Sequence, residues 1–271
     1  MTAGSIAVPS TRPSPAPSPT PADQAIAVIL PAYNEAGRID STLRAVAAYR
    51  ARLGVAWPVV VADDGSTDGT AEVATATANE IGLPIEVRRF PHRGKALTIR
   101  DAMLDLAGRT DARLLMMLDA DDELRIDQLD HVAWAADPRT IYIGRRVAEV
   151  AGAVGTRPSP LRRVMSGGMR VASRILLGLR FPDTQCGFKL FPRSIVAGLF
   201  GQQRSAGWVF DAELLVIAAR VSGLPVVEVP VTWSPRGVSK VSSRAAIGSV
   251  FALLAVAARY RAGRYRRIRA D

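Results

Sequence analysis

Cysteine is almost missing: Cys186 is the only one in 271 residues. A disulfide framework is therefore excluded, and a reducing, cytoplasmic setting is the expectation. Histidine is nearly as scarce. His92 and His131 lie far apart in the chain, which argues against a His/Cys zinc site. The apolar stretch Ala245–Ala258 falls short of the roughly 20 residues that a membrane-spanning helix needs. Residues 1–22 have no long apolar region and are not expected to be a secretory signal. They are rich in Pro, Ser, Thr and Ala, a composition that cannot build a core, so a disordered or polyproline-like tail is expected. No internal repeat is visible.

Apolar residues make up 48% of the chain, ample for a core. Lys and Arg number 35 against 25 for Asp and Glu, a formal charge of +10. Such a balance suits nucleic acid, anionic lipid or phosphorylated substrates. Distribution decides among them. Acids concentrate in the first half, while arginines crowd Arg157–Arg180 and Arg259–Arg269. One face is thus expected to turn toward something negative. Nucleic acid is the weaker reading, because no base-reading helix is evident and an acidic rim would repel phosphate.

From Ala25 the chain alternates short apolar runs with helical spacing. Strands are predicted at Ile26–Leu30, Pro58–Ala62, Ile85–Arg89 and Arg113–Leu118. Helices are predicted from Asp40 or Ser41 to Leu53, up to Ile81, and from Gly94 to Leu106. This alternation predicts an α/β fold with a mainly parallel sheet flanked by helices. Beyond it, helices are predicted at Ile126–Ala135, Leu161–Leu177 and Trp208–Val221, and strands at Thr140–Ile143 and Val226–Val229. Asp183–Phe191 reads as a compact turn and strand. Ala245–Ala258, followed by arginines, has two readings: an interfacial helix lying on an anionic bilayer, or a last core helix with a solvated basic tail.

Ligands of open α/β sheets collect at the carboxyl ends of the strands. Four successive strand ends carry suitable chemistry. The first has Pro31, Ala32, Tyr33 and Glu35. The second has Asp63 and Asp64. The third leads to Arg93-Gly94-Lys95, and the fourth to Asp119-Ala120-Asp121. An Asp can accept from a base or ribose hydroxyl, Tyr33 can pack beside a base, and Lys95 supplies a point charge for phosphate. Two carboxylates one residue apart can share a hard divalent cation. Cys186 reads as a small buried residue, and Trp208 and Trp233 as packing residues.

Those four motifs resemble the successive signatures of the family 2 inverting glycosyltransferases, which have the Rossmann-like GT-A fold. In the second half, Asp183-Thr-Gln-Cys-Gly-Phe-Lys-Leu-Phe191 resembles the dolichyl-phosphate β-glucosyltransferases and, more loosely, the mannosyltransferases that use the same lipid. Trp208–Leu215, Val229–Trp233 and Ser239-Lys240 are similar to that group as well. The resemblance spans roughly Ala25 to Tyr260. Asp122 departs from it, standing where the family often has Gly, and so do Ala96-Leu97, in place of a small Gly-rich pair.

The resemblance implies an enzyme that moves a sugar from a nucleotide diphosphate to a polyprenyl monophosphate with inversion. UDP-glucose is the favoured donor; UDP-N-acetylhexosamine, GDP-mannose and a non-lipid acceptor stay open. It implies Mg²⁺ or Mn²⁺ on Asp121 and Asp119, with Arg236 and Lys240 closing over the diphosphate. Arg145, Arg163 and Ser166 are the candidates for the lipid phosphate. Asp183 and Gln185 would line the sugar pocket, and Asp211 would orient a hydroxyl or the acceptor, or else cap a helix. The expected division is a tail (1–22), a GT-A domain (23–241) and a membrane-associating apolar helix with a basic tail (242–271). The protein is expected on the cytoplasmic face of a membrane, with a membrane-protein partner possible.

Overall fold

The computed structural model describes residues 19–149, 168, 171–234 and 243–269. Among them, seven strands form one sheet in the order β3-β2-β1-β4-β6-β5-β7. The strands are β1 (Ile26–Ala32), β2 (Val59–Asp63), β3 (Glu86–Arg89), β4 (Leu114–Leu118), β5 (Ile141–Glu149), β6 (Phe188–Pro192) and β7 (Val226–Trp233). β3, β2, β1 and β4 are mutually parallel. β6 runs antiparallel to both β4 and β5, and β7 returns parallel to β5.

Every residue of β1, β2 and β4 is buried, as expected when helices cover both faces of a parallel sheet. Alternate residues feed two cores. Ile29, Val60 and Met117 meet α3 (Lys95–Arg109), α5 (Arg193–Phe200) and α6 (Phe210–Leu215) on one face. Val28, Val61 and Met116 meet α1 (Ile39–Leu53) and α2 (Thr70–Glu80) on the other. Full burial of each such aliphatic side chain contributes roughly 1.5–3 kcal/mol.

Several boundaries depart from the sequence reading. α1 begins at Ile39, with Arg38 in the cap position. Asp40 and Ser41, expected as caps, turn their side chains elsewhere: Asp40 accepts from Arg44 and Thr77, and the Ser41 hydroxyl donates to Asp122. The helix expected at Ile126–Ala135 is a 3-10 turn ending at His131. Trp208–Val221 divides into α6 and a π-helical turn, Val216–Val221. Of Leu161–Leu177, a helix over 171–177 (α4) is described. A 3-10 turn at Pro21–Asp23, closed by Thr20 donating to Asp23, straddles the expected end of the tail at residue 22.

The last helix, α7 (Ser243–Arg261), satisfies part of each reading of its stretch. Leu253, Val256 and Ala257 are buried in the first core. Val250, Phe251 and Leu254 face outward, with Phe251 69% exposed. Among the described residues, no helix is long and apolar enough to cross a membrane.

Candidate active site

The parallel half of the sheet brings its four carboxyl ends to one rim, with Tyr33, Asp63–Asp64, Arg93–Lys95 and Asp119–Asp121 following successive strands. Tyr33 is half-exposed and stacks one ring face on His92, with centroids 4.1 Å apart. Asp63 accepts from the Ser66 amide at 3.0 Å, shaping the turn after β2. Glu35 ion-pairs with Arg38 at the start of α1, and its amide donates to Thr70.

Asp64 is buried and its carboxylate is heavily used. Oδ1 accepts from the Arg93 amide (2.9 Å) and the Thr98 hydroxyl (2.7 Å), and Oδ2 from the Gly94 amide (3.0 Å). His92 Nδ1 lies 3.0 Å from Oδ2. The Asp64 amide donates to the Ala32 carbonyl, tying the first two strand ends together. Asp64 therefore holds the turn that presents Lys95. Gln203, buried and unremarked in the sequence, holds the other side by donating to the Ala96 carbonyl at 3.0 Å.

Lys95 Nζ meets Asp119 Oδ1 at 2.5 Å. Burial works against the Lys95 charge, but Asp119, with Asp211 and Asp121 adding to it, raises the pKa above the usual lysine value. Asp119 in turn rests against Gly187. A Cβ there would lie 2.1 Å from Oδ2 and 2.2 Å from Cγ, so only glycine leaves the carboxylate its place. The Asp119 amide also donates to the Gly187 carbonyl across the β4–β6 pairing.

Asp121 is pushed up to about 7, first by burial, then by repulsion from Asp119 and Glu123, against the pull of Lys95. Ala120 between them is buried, and its carbonyl accepts from Thr42. Asp122 has φ +56°, the left-handed region where glycine is at ease. Asp tolerates that region better than most residues, and Ser41 donates to its carboxylate at 2.6 Å. Asp122 thus adopts a backbone conformation that glycine also takes.

The second half is more interlocked than the sequence implies. Asp183 grips Arg146 through Nε at 2.7 Å and Nη2 at 2.9 Å. Burial alone would raise the Asp183 pKa, but Arg146 holds it below the usual range. Successive side chains on a strand point to opposite faces. Arg145, the candidate for the lipid phosphate, thus turns away from Arg146 and lies 3.9 Å from Glu228. Arg146 lies over Trp233 and feels the charge of Asp119. Gln185 donates to the Trp208 carbonyl, and Trp208 is exposed where packing was expected.

Asp211 does not cap α6. It is buried and ion-paired with Lys189 at 2.8 Å, and Lys189 also donates to the Cys186 carbonyl. Burial raises the Asp211 pKa, with Lys189 and Lys95 opposing. Cys186 is fully buried, and burial pushes its thiol up to about 11, as suits a packing residue. Arg163, Ser166, Arg236 and Lys240 lie outside the described residues.

The chemistry of this rim fits a hard cation. Asp119 and Asp121 offer carboxylate oxygens alone, and burial, with Asp119 and Glu123 beside it, makes the Asp121 charge costly in the absence of a cation. Among the described residues no group of three or more His, Cys, Asp or Glu converges. The protein's share of a coordination sphere would then be two oxygens, the kind of site in which water and phosphate complete the set around Mg²⁺.

A mainly parallel sheet covered on both faces, with acids and a Gly-Lys turn gathered at its carboxyl rim, is the architecture of nucleotide-binding α/β enzymes. The chain matches the family model "Glycosyl transferase family 2" over residues 27–200. It is 33% identical over 246 residues to the dolichyl-phosphate beta-glucosyltransferase ALG5C of Trichomonas vaginalis, covering 87% of this chain and 71% of that one. It is 32% identical to the dolichyl-phosphate beta-glucosyltransferase of Drosophila melanogaster, covering 80% and 69%. Among solved structures, glucosyl-3-phosphoglycerate synthase from Mycobacterium tuberculosis, in complex with Mn²⁺, UDP-glucose and phosphoglyceric acid, superposes with a TM-score of 0.62. It shares 18% identity with this chain, covering 88% of it and 81% of that protein. The chain belongs to glycosyl transferase family 2 and is a glycosyltransferase of the GT-A fold.

One expected outcome follows directly from Gly187. Gly187→Ala should displace the Asp119 carboxylate and lower transfer about 100-fold, the scale of a 1 Å misplacement. The melting temperature should move little, since the clash is with a side chain at the rim. Activity within a factor of about three of wild type would show that Asp119 has room to shift without consequence.

Proposed function

We propose that the chain transfers glucose from UDP-glucose to a polyprenyl monophosphate of the dolichyl type, with inversion at the sugar. The observation that carries this reading is the meeting of Asp119, Lys95 and Asp121 at the rim, in a chain related over most of its length to dolichyl-phosphate beta-glucosyltransferases. Tyr33, Asp63 and the turn held by Asp64 would receive the nucleoside. Asp119 and Asp121 would hold Mg²⁺ or Mn²⁺. When bound, that ion supplies Lewis-acid neutralisation of the leaving diphosphate. Lys95, held in its charged form, adds a point charge for the same phosphates.

The nucleophile would be a phosphate oxygen of the lipid. With a second phosphate pKa of about 6 it is already anionic near neutral pH, so no strong general base is required. That agrees with Asp211, whose buried carboxylate is spent on Lys189 and which serves as a positioning group. Guanidinium groups suit the acceptor phosphate, because their planar fork engages two oxygens. Arg163 with Ser166, and Arg236 with Lys240, are assigned from the resemblance of their motifs. The outward face of α7, with Phe251 and Leu254 beside a basic terminus, would lie on the cytoplasmic surface of an anionic bilayer.

The test is direct. Purified protein is incubated with Mg²⁺ or Mn²⁺, a polyprenyl phosphate and, in separate reactions, UDP-glucose, UDP-N-acetylglucosamine and GDP-mannose. The expected product is a hexosyl phospholipid, seen by mass, from UDP-glucose. Product from another donor alone would overturn the glucose assignment, and product only with a water-soluble acceptor would overturn the lipid.

A further inference from the structure

A second concentration of positive charge shares no residue with the rim. Arg204, Arg259, Arg264 and Arg266, with Gln202 and Tyr265, line a cavity of about 760 Å³ between the end of α5 and the chain's C-terminal strap. No acid lines it. Glu213, fully buried, accepts from the Arg204 and Ser205 amides and the Tyr265 hydroxyl and ion-pairs with Arg259. Arg204, Arg264 and Arg266 have no carboxylate partner among the described residues. Elsewhere the chain pairs its arginines freely, as at Arg44, Arg52, Arg88, Arg109 and Arg139.

The strap is not a loose basic tail. Gln202 Nε2 donates to the Arg266 carbonyl at 3.0 Å, and the Arg266 amide returns a bond to Gln202 Oε1 at 2.5 Å. The Ile268 amide donates to Ser222, and the Tyr265 and Ile268 side chains are buried. Glu213 and Gln202 thus fix a wall of like charges at close quarters. Only Arg259 has a carboxylate partner among them, and a phosphoryl group with its several acceptor oxygens is the chemistry that complements the other three.

We propose that this cavity is a phosphoryl-binding site built from residues other than those assigned to the donor and the acceptor. Its ligand is a phosphate group, carried either by a membrane lipid's headgroup or by a free phosphate compound. The proposal does not depend on which sugar or acceptor the enzyme uses.

The experiment measures binding by the full-length protein to two probes. One is inorganic pyrophosphate, titrated calorimetrically with EDTA present, so that no metal holds a diphosphate at the rim. The other is phosphatidylcholine vesicles with and without phosphatidylglycerol, followed by co-sedimentation. Wild-type protein is compared with Arg264→Glu/Arg266→Glu and with Arg125→Glu, a charge reversal elsewhere on the surface. The double variant should lose affinity at least about tenfold for the probe that binds, the worth of one charge-assisted contact. Arg125→Glu should lose little. Arg204→Ala is the second variant: its backbone amide still reaches Glu213, so folding is preserved, and it too should weaken binding. Loss with pyrophosphate names a free phosphate compound as ligand; loss confined to phosphatidylglycerol vesicles names a headgroup. If neither probe binds wild type, or if the double variant binds like Arg125→Glu, the site does not exist.

Discussion

Asp121→Asn should abolish glycosyl transfer while making the metal-free protein more stable. The loss expected is about 10³-fold or more, the scale of removing an electrostatic stabiliser of the departing group. The gain follows from linkage. The Asp121 carboxyl rises from its ordinary 3.8 to about 7 on folding, by burial and by its neighbours Asp119 and Glu123. Between those values the folded chain keeps a proton that the unfolded chain has released, so stability falls as pH rises through that window. Above it the penalty is fully present, on the order of a few kcal/mol. Asn carries no charge, and its amide oxygen still accepts the bond that the Glu123 amide gives Asp121 at 3.2 Å. At pH 8 in EDTA the variant should therefore melt above wild type, and the difference should vanish near pH 4. Adding Mn²⁺ should raise the wild-type melting temperature and leave the variant unmoved. Turnover above roughly a hundredth of wild type would remove Asp121 from the reaction. An inactive variant that melts lower at pH 8 would mean that the carboxylate's charge is structural.

The second large effect lies beneath the rim. Lys189→Met should cost about 3–5 kcal/mol at pH 8, because it takes away the ion-pair partner of Asp211 and leaves only Lys95 to oppose the buried charge. The loss should shrink toward pH 5, since protonating Asp211 removes the uncompensated charge. Lys189→Met/Asp211→Leu should recover most of the stability, apolar replacement of a buried pair being close to neutral. Activity separates the roles. If Asp211 only positions the floor of the site, the double variant should retain partial turnover with an altered KM. If Asp211 touches substrate, turnover should stay lost although the fold returns. A single variant as stable as wild type at pH 8 would show that Asp211 takes up a proton without penalty.

The rim was legible because its signals are local. Apolar runs such as Leu114–Leu118 break into acids within one residue, and the helical spacing after each break fixes the parallel order of the first four strands. What escaped depends on contacts across the chain. Lys189, flanked by Phe188 and Leu190, gives no hint that its partner is 22 positions away on α6. Gly187 stands in a segment recognised by resemblance, yet the reason for glycine appears only when β6 lies antiparallel beside β4 and the Asp119 carboxylate occupies the space. Asp40 and Ser41 looked like helix caps because their residue types favour that role. Tertiary partners at Thr77 and Asp122 claim their side chains instead. Arg145 and Arg146 are equivalent as letters, and only the strand's alternation tells which one neighbours Asp183.

Asp64 carries one more implication. Its carboxylate accepts from Arg93, Gly94 and Thr98, so the protein itself supplies every one of these bonds. The turn bearing Lys95 is therefore fixed by the fold's own bonds, and the entropy of immobilising it is lost during folding. Thr98→Val would loosen that preorganisation, and it should surface as weaker nucleotide affinity before any change in the chemical step.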